Sequence, residues 1–136
     1  MSKVDCSKVY VKTSSFSTKS NEFDGAFANT DIKNGELVET GIVRVLENFD
    51  GMKNPHVFTW SDEIPNKTWA FTSGCATYYN TAKRGNANTI MKRFFKENRF
   101  EIYAFRDIKK DVELTQTYKS LEWREVFSEL NTILNQ

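Results

Sequence analysis

The chain has 136 residues, with nineteen basic against eighteen acidic side chains and a formal net charge of +1. That length suits one domain with a single buried core, and the near balance of charge excludes bulk electrostatic capture of nucleic acid or of an anionic membrane. No apolar run approaches the roughly 20 residues that cross a bilayer, and the polar start MSKVDCSKV lacks a secretory signal's apolar segment, so an intracellular protein, cytoplasmic or nuclear, is expected.

KVYVK (8–12) alternates polar and apolar residues as a short strand does, and a Ser/Thr-rich loop follows over 13–20. GAFAN (25–29) leads into DIKNGELVE. There Asn34-Gly35 marks a tight turn, because both residues tolerate positive φ, and ELVE resumes a strand. GIVRVLENF (41–49) is a further β-rich segment. From 50 to 67 the chain is irregular, punctuated by Gly51, Pro55 and Pro65 around Phe58 and Trp60, and reads as an insertion. WAFTSGCATYYN (69–80) is apolar and aromatic without clear periodicity, open between a strand and a short helix. TAKRGNAN (81–88) is a polar loop. Cys6 and Cys75 lack metal-ligand spacing and His56 is the only histidine, which argues against a zinc site.

TIMKRFF and RFEIYAF form a hairpin across Lys96-Glu97-Asn98. In the second strand Phe100, Ile102 and Ala104 alternate with Arg99, Glu101 and Tyr103, so one face is core-bound. A charged turn over 107–111 follows, and VELTQTY ends on Tyr118, an aromatic hydroxyl at the mouth of a strand, where sites tend to form. DIKNGEL (31–37) and DIKKDVEL (107–114) echo each other, each leading from a turn into a strand. Last, Trp123, Val126, Phe127, Leu130, Ile133 and Leu134 fall at helical spacing and predict an amphipathic helix over about 121–134.

RFEIYAFRDIKKDVELTQTY (99–118) resembles the closing block of the SET-domain protein lysine methyltransferases, roughly RIxFFAxRDIxxGEELTYDY. Arg99, Ile102, Tyr103, Ala104, Arg106, Asp107, Ile108, Glu113, Leu114, Thr115 and Tyr118 are in register. Upstream, FDGAFANTDIKNGELVE is similar to the family's first signature, GxGVFAxxDIxKGExVxE, through Gly25, Phe27, Ala28, Asp31, Ile32, Gly35, Glu36, Val38 and Glu39. Phe23 stands where that signature has its first glycine. Between the two, NTAKRGN (80–86) resembles NHSxxPN: both asparagines match, Thr81-Ala82 replace His-Ser, and Gly85 replaces Pro. The three blocks stand in family order across about 8–118.

The resemblance implies a mostly β fold (β-rich α+β) of the SET-like β-clip type: several short antiparallel sheets, a pseudoknotted loop and a C-terminal helix, in one domain over 1–136. It also implies S-adenosylmethionine as cofactor, held by Gly25, Ala26, Phe27, Tyr79, Asn80 and Thr81, with Trp123 and its helix closing over it. The helix has two alternative uses, completing the core or making a homodimer contact. Tyr118 falls on the family's catalytic tyrosine, Tyr103 assists, and Tyr103, Gln116 and Tyr118 line a substrate channel; a plain core role for Tyr103 is the alternative. The implied substrate is a lysine of a protein, a histone tail or another, with neither direct nucleic-acid nor membrane contact. Two functions follow from the same residues: a protein lysine N-methyltransferase, or a SET-like domain that has lost catalysis and serves as a protein-binding module, as Phe23, Thr81-Ala82 and Gln116 would suggest.

Overall fold

The computed structural model describes residues 2–52, 54, 56–61, 68–82 and 85–117. The predicted C-terminal helix, with Trp123, and Tyr118 itself lie outside the described residues.

Among the described residues nine strands form three small sheets. β1 (Val9–Thr13) and β2 (Asp24–Ala28) pair antiparallel, Val9 opposite Ala28 and Thr13 opposite Asp24. The largest sheet has the order β4-β5-β3-β8-β7, from β4 (Phe58–Thr59), β5 (Trp69–Thr72), β3 (Leu37–Leu46), β8 (Arg99–Ala104) and β7 (Thr89–Phe94). The third joins β6 (Asn80–Thr81) to β9 (Thr115–Gln116) in parallel. The strand-rich class and the short, mostly antiparallel sheets agree with the expectation. ELVE and GIVRVLENF, however, are one strand: β3 runs ten residues, with a register shift between Leu37 and Glu39 against β8. The bulge falls at Val38, inside the first segment, and the two segments join through Thr40 and Gly41, which pair in regular register with Glu101 and Phe100. The 69–80 stretch resolves into both alternatives in turn: β5, then a 3-10 turn over Ala76–Tyr78, then β6.

The β7–β8 hairpin turns through a 3-10 turn, Phe95–Glu97, and Asn98 at φ 50, a left-handed conformation that asparagine tolerates. In β8 the predicted alternation holds, with Phe100, Ile102 and Ala104 buried and Arg99, Glu101 and Tyr103 on the other face. The described part of the 50–67 insertion is tied down by Trp60, which is buried, packs edge-on against Phe95 at 5.2 Å and donates its indole N–H to Asn98 Oδ1.

At the centre of the molecule the two echoed turns clasp each other. Ile32 and Ile108, both buried, exchange backbone hydrogen bonds of 2.8 and 2.7 Å. Around them the bonds repeat reciprocally. Gly35 N–H donates to Ala104 O and Asp111 N–H to Ala28 O, while Ala104 N–H donates to Glu36 O and Ala28 N–H to Val112 O. Each turn's aspartate caps the other turn, Asp31 Oδ1 accepting from Lys110 N–H and Asp107 Oδ1 from Asn34 N–H. Gly35 at φ 86 and Asp111 at φ 70 hold equivalent left-handed positions. Two sequence blocks far apart in the chain thus form one two-fold-like core, and the strands leaving it carry the site.

Candidate active site

β2 brings Gly25 beneath the start of β6. Asn80, the first asparagine of the middle block, donates its side-chain amide to Asp24 O at 3.1 Å and to Glu113 Oε2 at 3.0 Å. Glu113 is buried, and its carboxylate collects three more donors: the Ser14 hydroxyl at 2.7 Å, the Ser15 backbone N–H at 2.8 Å and the Ser15 hydroxyl. A carboxylate accepts and never donates, so a group facing only donors is satisfied there. The backbone around it is fixed by Asn88, whose amide donates to Glu113 O at 2.9 Å and whose Oδ1 accepts from Thr115 N–H at 2.8 Å.

The geometry gives a reason for Gly25 of its own. The family resemblance implies a glycine whose bare backbone the cofactor approaches. A Cβ at 25 would also run into Glu113 Oε2 and come 3.1 Å from Asn80 Nδ2. The missing side chain makes room for the glutamate–asparagine pair. Phe23, in place of the first signature glycine, closes the β1–β2 loop. Its carbonyl accepts from Ser14 N–H and the Ser17 hydroxyl, and its N–H donates to Ser17 Oγ.

The SET-domain family model matches residues 24–119. The chain belongs to that family. Among solved structures, a Plasmodium falciparum protein described as a histone methyltransferase superposes with a TM-score of 0.59 at 18% identity, over 82% of this chain and 92% of that one. The Chaetomium thermophilum polycomb repressive complex 2 bound to S-adenosylmethionine superposes with a TM-score of 0.63 at 20% identity, over 93% of this chain. A polycomb repressive complex 2 in its basal state gives 0.62 at 23% identity, over 82% of this chain. The match spans only 17% and 15% of those two polycomb chains. No match was found among curated proteins.

Within this SET domain the other predicted residues divide. Ala26 is fully buried and its carbonyl accepts from Leu114 N–H; Phe27 is buried, stacks on Tyr10 at 5.7 Å and bridges to Glu113 through the backbone. Thr81 and Gln116, both buried, are register partners across β6 and β9, which brings the middle and closing blocks side by side. Gln116 is 5% exposed, and no hydrogen bond reaches its side-chain amide among the described residues. Tyr79 points the other way. It is fully buried and its hydroxyl donates to Glu39 Oε1 at 2.9 Å, a bond that anchors the start of β6. Tyr103 leaves β8 on the face opposite Phe100 and Ile102, and its hydroxyl donates to Glu101 Oε1 at 3.0 Å.

Behind β6 sits a second polar group. Glu39, buried on β3, accepts from Tyr79 and from Cys75 N–H at 2.9 Å. Burial lifts its carboxyl above the ordinary value, against the lowering effect of the hydrogen bonds from Cys75, Tyr79 and Ala76. Burial, with the Cys6 thiol and the Glu39 carboxylate beside it, pushes Cys75 up to about 12, and Tyr79 is raised well above its usual range by burial and by Glu39. Both stay protonated, which suits anchoring and not nucleophilic chemistry.

Glu113, Ser14 and Ser15 are absent from the set of site residues that sequence reasoning produced. The available signal was a lone acid between Val112 and Leu114, and a Ser pair just after a strand; neither says what it faces. As for S-adenosylmethionine, Asn80 Oδ1 has no partner among the described residues and is an acceptor that an ammonium group could use, next to the backbone of Asp24 and Gly25. The residues fit the polar end of that molecule.

Proposed function

We propose that this SET domain is an S-adenosylmethionine-dependent protein lysine N-methyltransferase. The observation that carries the reading is the convergence of the three family blocks at one point: the side-chain amide of Asn80 in the second donates to Asp24 O of the first and to Glu113 of the third, with Gly25 packed against both side chains. Gly25, Asn80 and Thr81 would hold the cofactor, which when bound supplies an electrophilic methyl on a sulfonium. The chain's own task is alignment, since an in-line displacement needs no covalent intermediate and good alignment is worth roughly 7–11 kcal/mol at best. A free lysine titrates near ~10.4 and is no nucleophile while protonated; an apolar channel depresses that value. Tyr118, one residue beyond the last described one, would orient the amine through its hydroxyl.

Gln116 supports the channel. It is a buried amide without a hydrogen-bond partner among the described residues, two positions before Tyr118. A lysine of a histone tail or of another protein is the substrate class this reading takes. The binding-module alternative is favoured by one observation, that both N–H groups of the Asn80 amide are engaged inside the protein. Purified protein incubated with radiolabelled S-adenosylmethionine and a cell lysate decides between them. Labelled protein bands that vanish with Tyr118→Phe are expected; a lysate left unlabelled by the wild type overturns the methyltransferase reading.

A further inference from the structure

We infer that Glu113 is the positioning residue of the cofactor site, holding the first and second family blocks in register through hydrogen bonds that use both of its side-chain oxygens as acceptors. This rests on the methyltransferase reading.

Four donors meet that carboxylate: the Ser14 hydroxyl, the Ser15 N–H, the Ser15 hydroxyl and the Asn80 amide. The two hydroxyls can rotate and accept instead; the Ser15 N–H and the Asn80 N–H groups cannot. Each of those two falls on a different carboxylate oxygen, Ser15 N–H on Oε1 and Asn80 on Oε2. An amide at 113 therefore sets an NH2 either against the Ser15 N–H, which cannot accept, or against the Asn80 amide, which can accept only by turning over and giving up its bond to Asp24 O. A buried polar group left so is costly.

The consequence reaches the site because of what Asn80 does with its other atom. With Nδ2 held by Glu113 and Asp24, Oδ1 is aimed away from both and left for a donor. Releasing Nδ2 lets the amide turn over and present a donor where the cofactor needs an acceptor. Gly25 belongs to the same arrangement, because a Cβ there would strike Oε2 itself. The Ser14–Ser15 corner ends β1 immediately before the loop that Phe23 closes, so the glutamate also fixes where that loop begins.

The test is calorimetric affinity for S-adenosylmethionine, with thermal unfolding of each variant in parallel. Glu113→Gln is expected to weaken binding at least tenfold while the protein remains folded at the assay temperature. Glu113→Asp, which keeps the acceptor chemistry, should recover part of the loss. Ser14→Ala removes one bond from a residue that does not face the cofactor; it should weaken binding about threefold, and add nothing in the Glu113→Gln background. Should Glu113→Gln not fold, Ser14→Ala decides alone. A merely structural glutamate would lower the unfolding temperature and leave the affinity of the folded protein unchanged. That result, with wild-type protein binding normally, overturns this inference alone, whereas wild-type protein that binds no S-adenosylmethionine overturns the parent reading as well.

Discussion

The two clasped units, residues 26–39 and 102–115, begin alike and end differently. Through the turns they match bond for bond: Ile32 with Ile108, Asp31 with Asp107, Gly35 with Asp111. Past the turns the first runs into a ten-residue strand inside the largest sheet, while the second ends in a two-residue strand beside Asn80. Each exit buries one glutamate, Glu39 on β3 and Glu113 at the bridge to Phe27 just before β9. Glu39 faces the protonated Tyr79 hydroxyl and the Cys75 N–H, and Glu113 faces the serine corner and the Asn80 amide. The shared part of the repeat holds the fold together, and the divergent part supplies the candidate site.

The largest effects should come from the shared centre. Ile32→Ala and Ile108→Ala remove equivalent buried side chains, 2% and 3% exposed, and each should cost about 2–5 kcal/mol in urea unfolding. If the two costs differed by more than about half of that range, the equivalence of the units would fail. Because the two residues are direct partners across the bridge and share one core cluster, the double variant should depart from additivity by about 0.5–3 kcal/mol.

The aspartate caps give the next effect. Asp31→Ala and Asp107→Ala each delete one bond, of 2.8 and 2.9 Å, to the opposite turn. Both residues are exposed, so roughly 0.5–1.5 kcal/mol each is expected. Equal losses at the two positions would sharpen the repeat; a loss at one only would make it an accident of sequence.

The smallest effect separates the two glutamates by sign. Glu39 has a carboxyl raised by burial from an ordinary 4.5. Its contribution to stability is therefore present below about pH 4.5 and lost as pH climbs through the raised value. A glutamine at this position does not titrate, and it can accept from Cys75 N–H while donating to the Tyr79 oxygen. Glu39→Gln should be within about 1 kcal/mol of wild type near pH 5 and gain on it as pH rises. Unfolding curves taken across that window check this. If Glu39→Gln instead loses ground with rising pH, the buried carboxylate is stabilising in its charged form.

Much of the fold was legible in the residues. The alternation of RFEIYAF gave the buried face of β8 because a strand's side chains point to opposite sides in turn, a property local to the chain. Asn34-Gly35 marked a turn for an equally local reason, the tolerance of positive φ. The one-strand β3 was not legible, since what makes it one strand is the unbroken pairing of Glu39 to Ile42 with β8, which nothing around Thr40-Gly41 in the sequence marks. Tyr103 shows the limit from the other side: the alternation puts it on the face opposite Phe100 and Ile102, and nothing local to the chain says what that face meets.

What the sequence determined by itself was therefore the family, the strand-rich class and the three blocks in order, all of which rest on local pattern and matched residues. Which donors meet at Glu113 was decided by the tertiary structure alone. Ser14, Gly25, Asn80 and Glu113 are scattered over most of the chain, and nothing in the neighbourhood of any one of them indicates the others. Only the β1–β2 pairing, the parallel register of β6 on β9 and the clasp of the two turns carry them to one place. There a lone buried acid, costly by itself, becomes the shared acceptor of four donors.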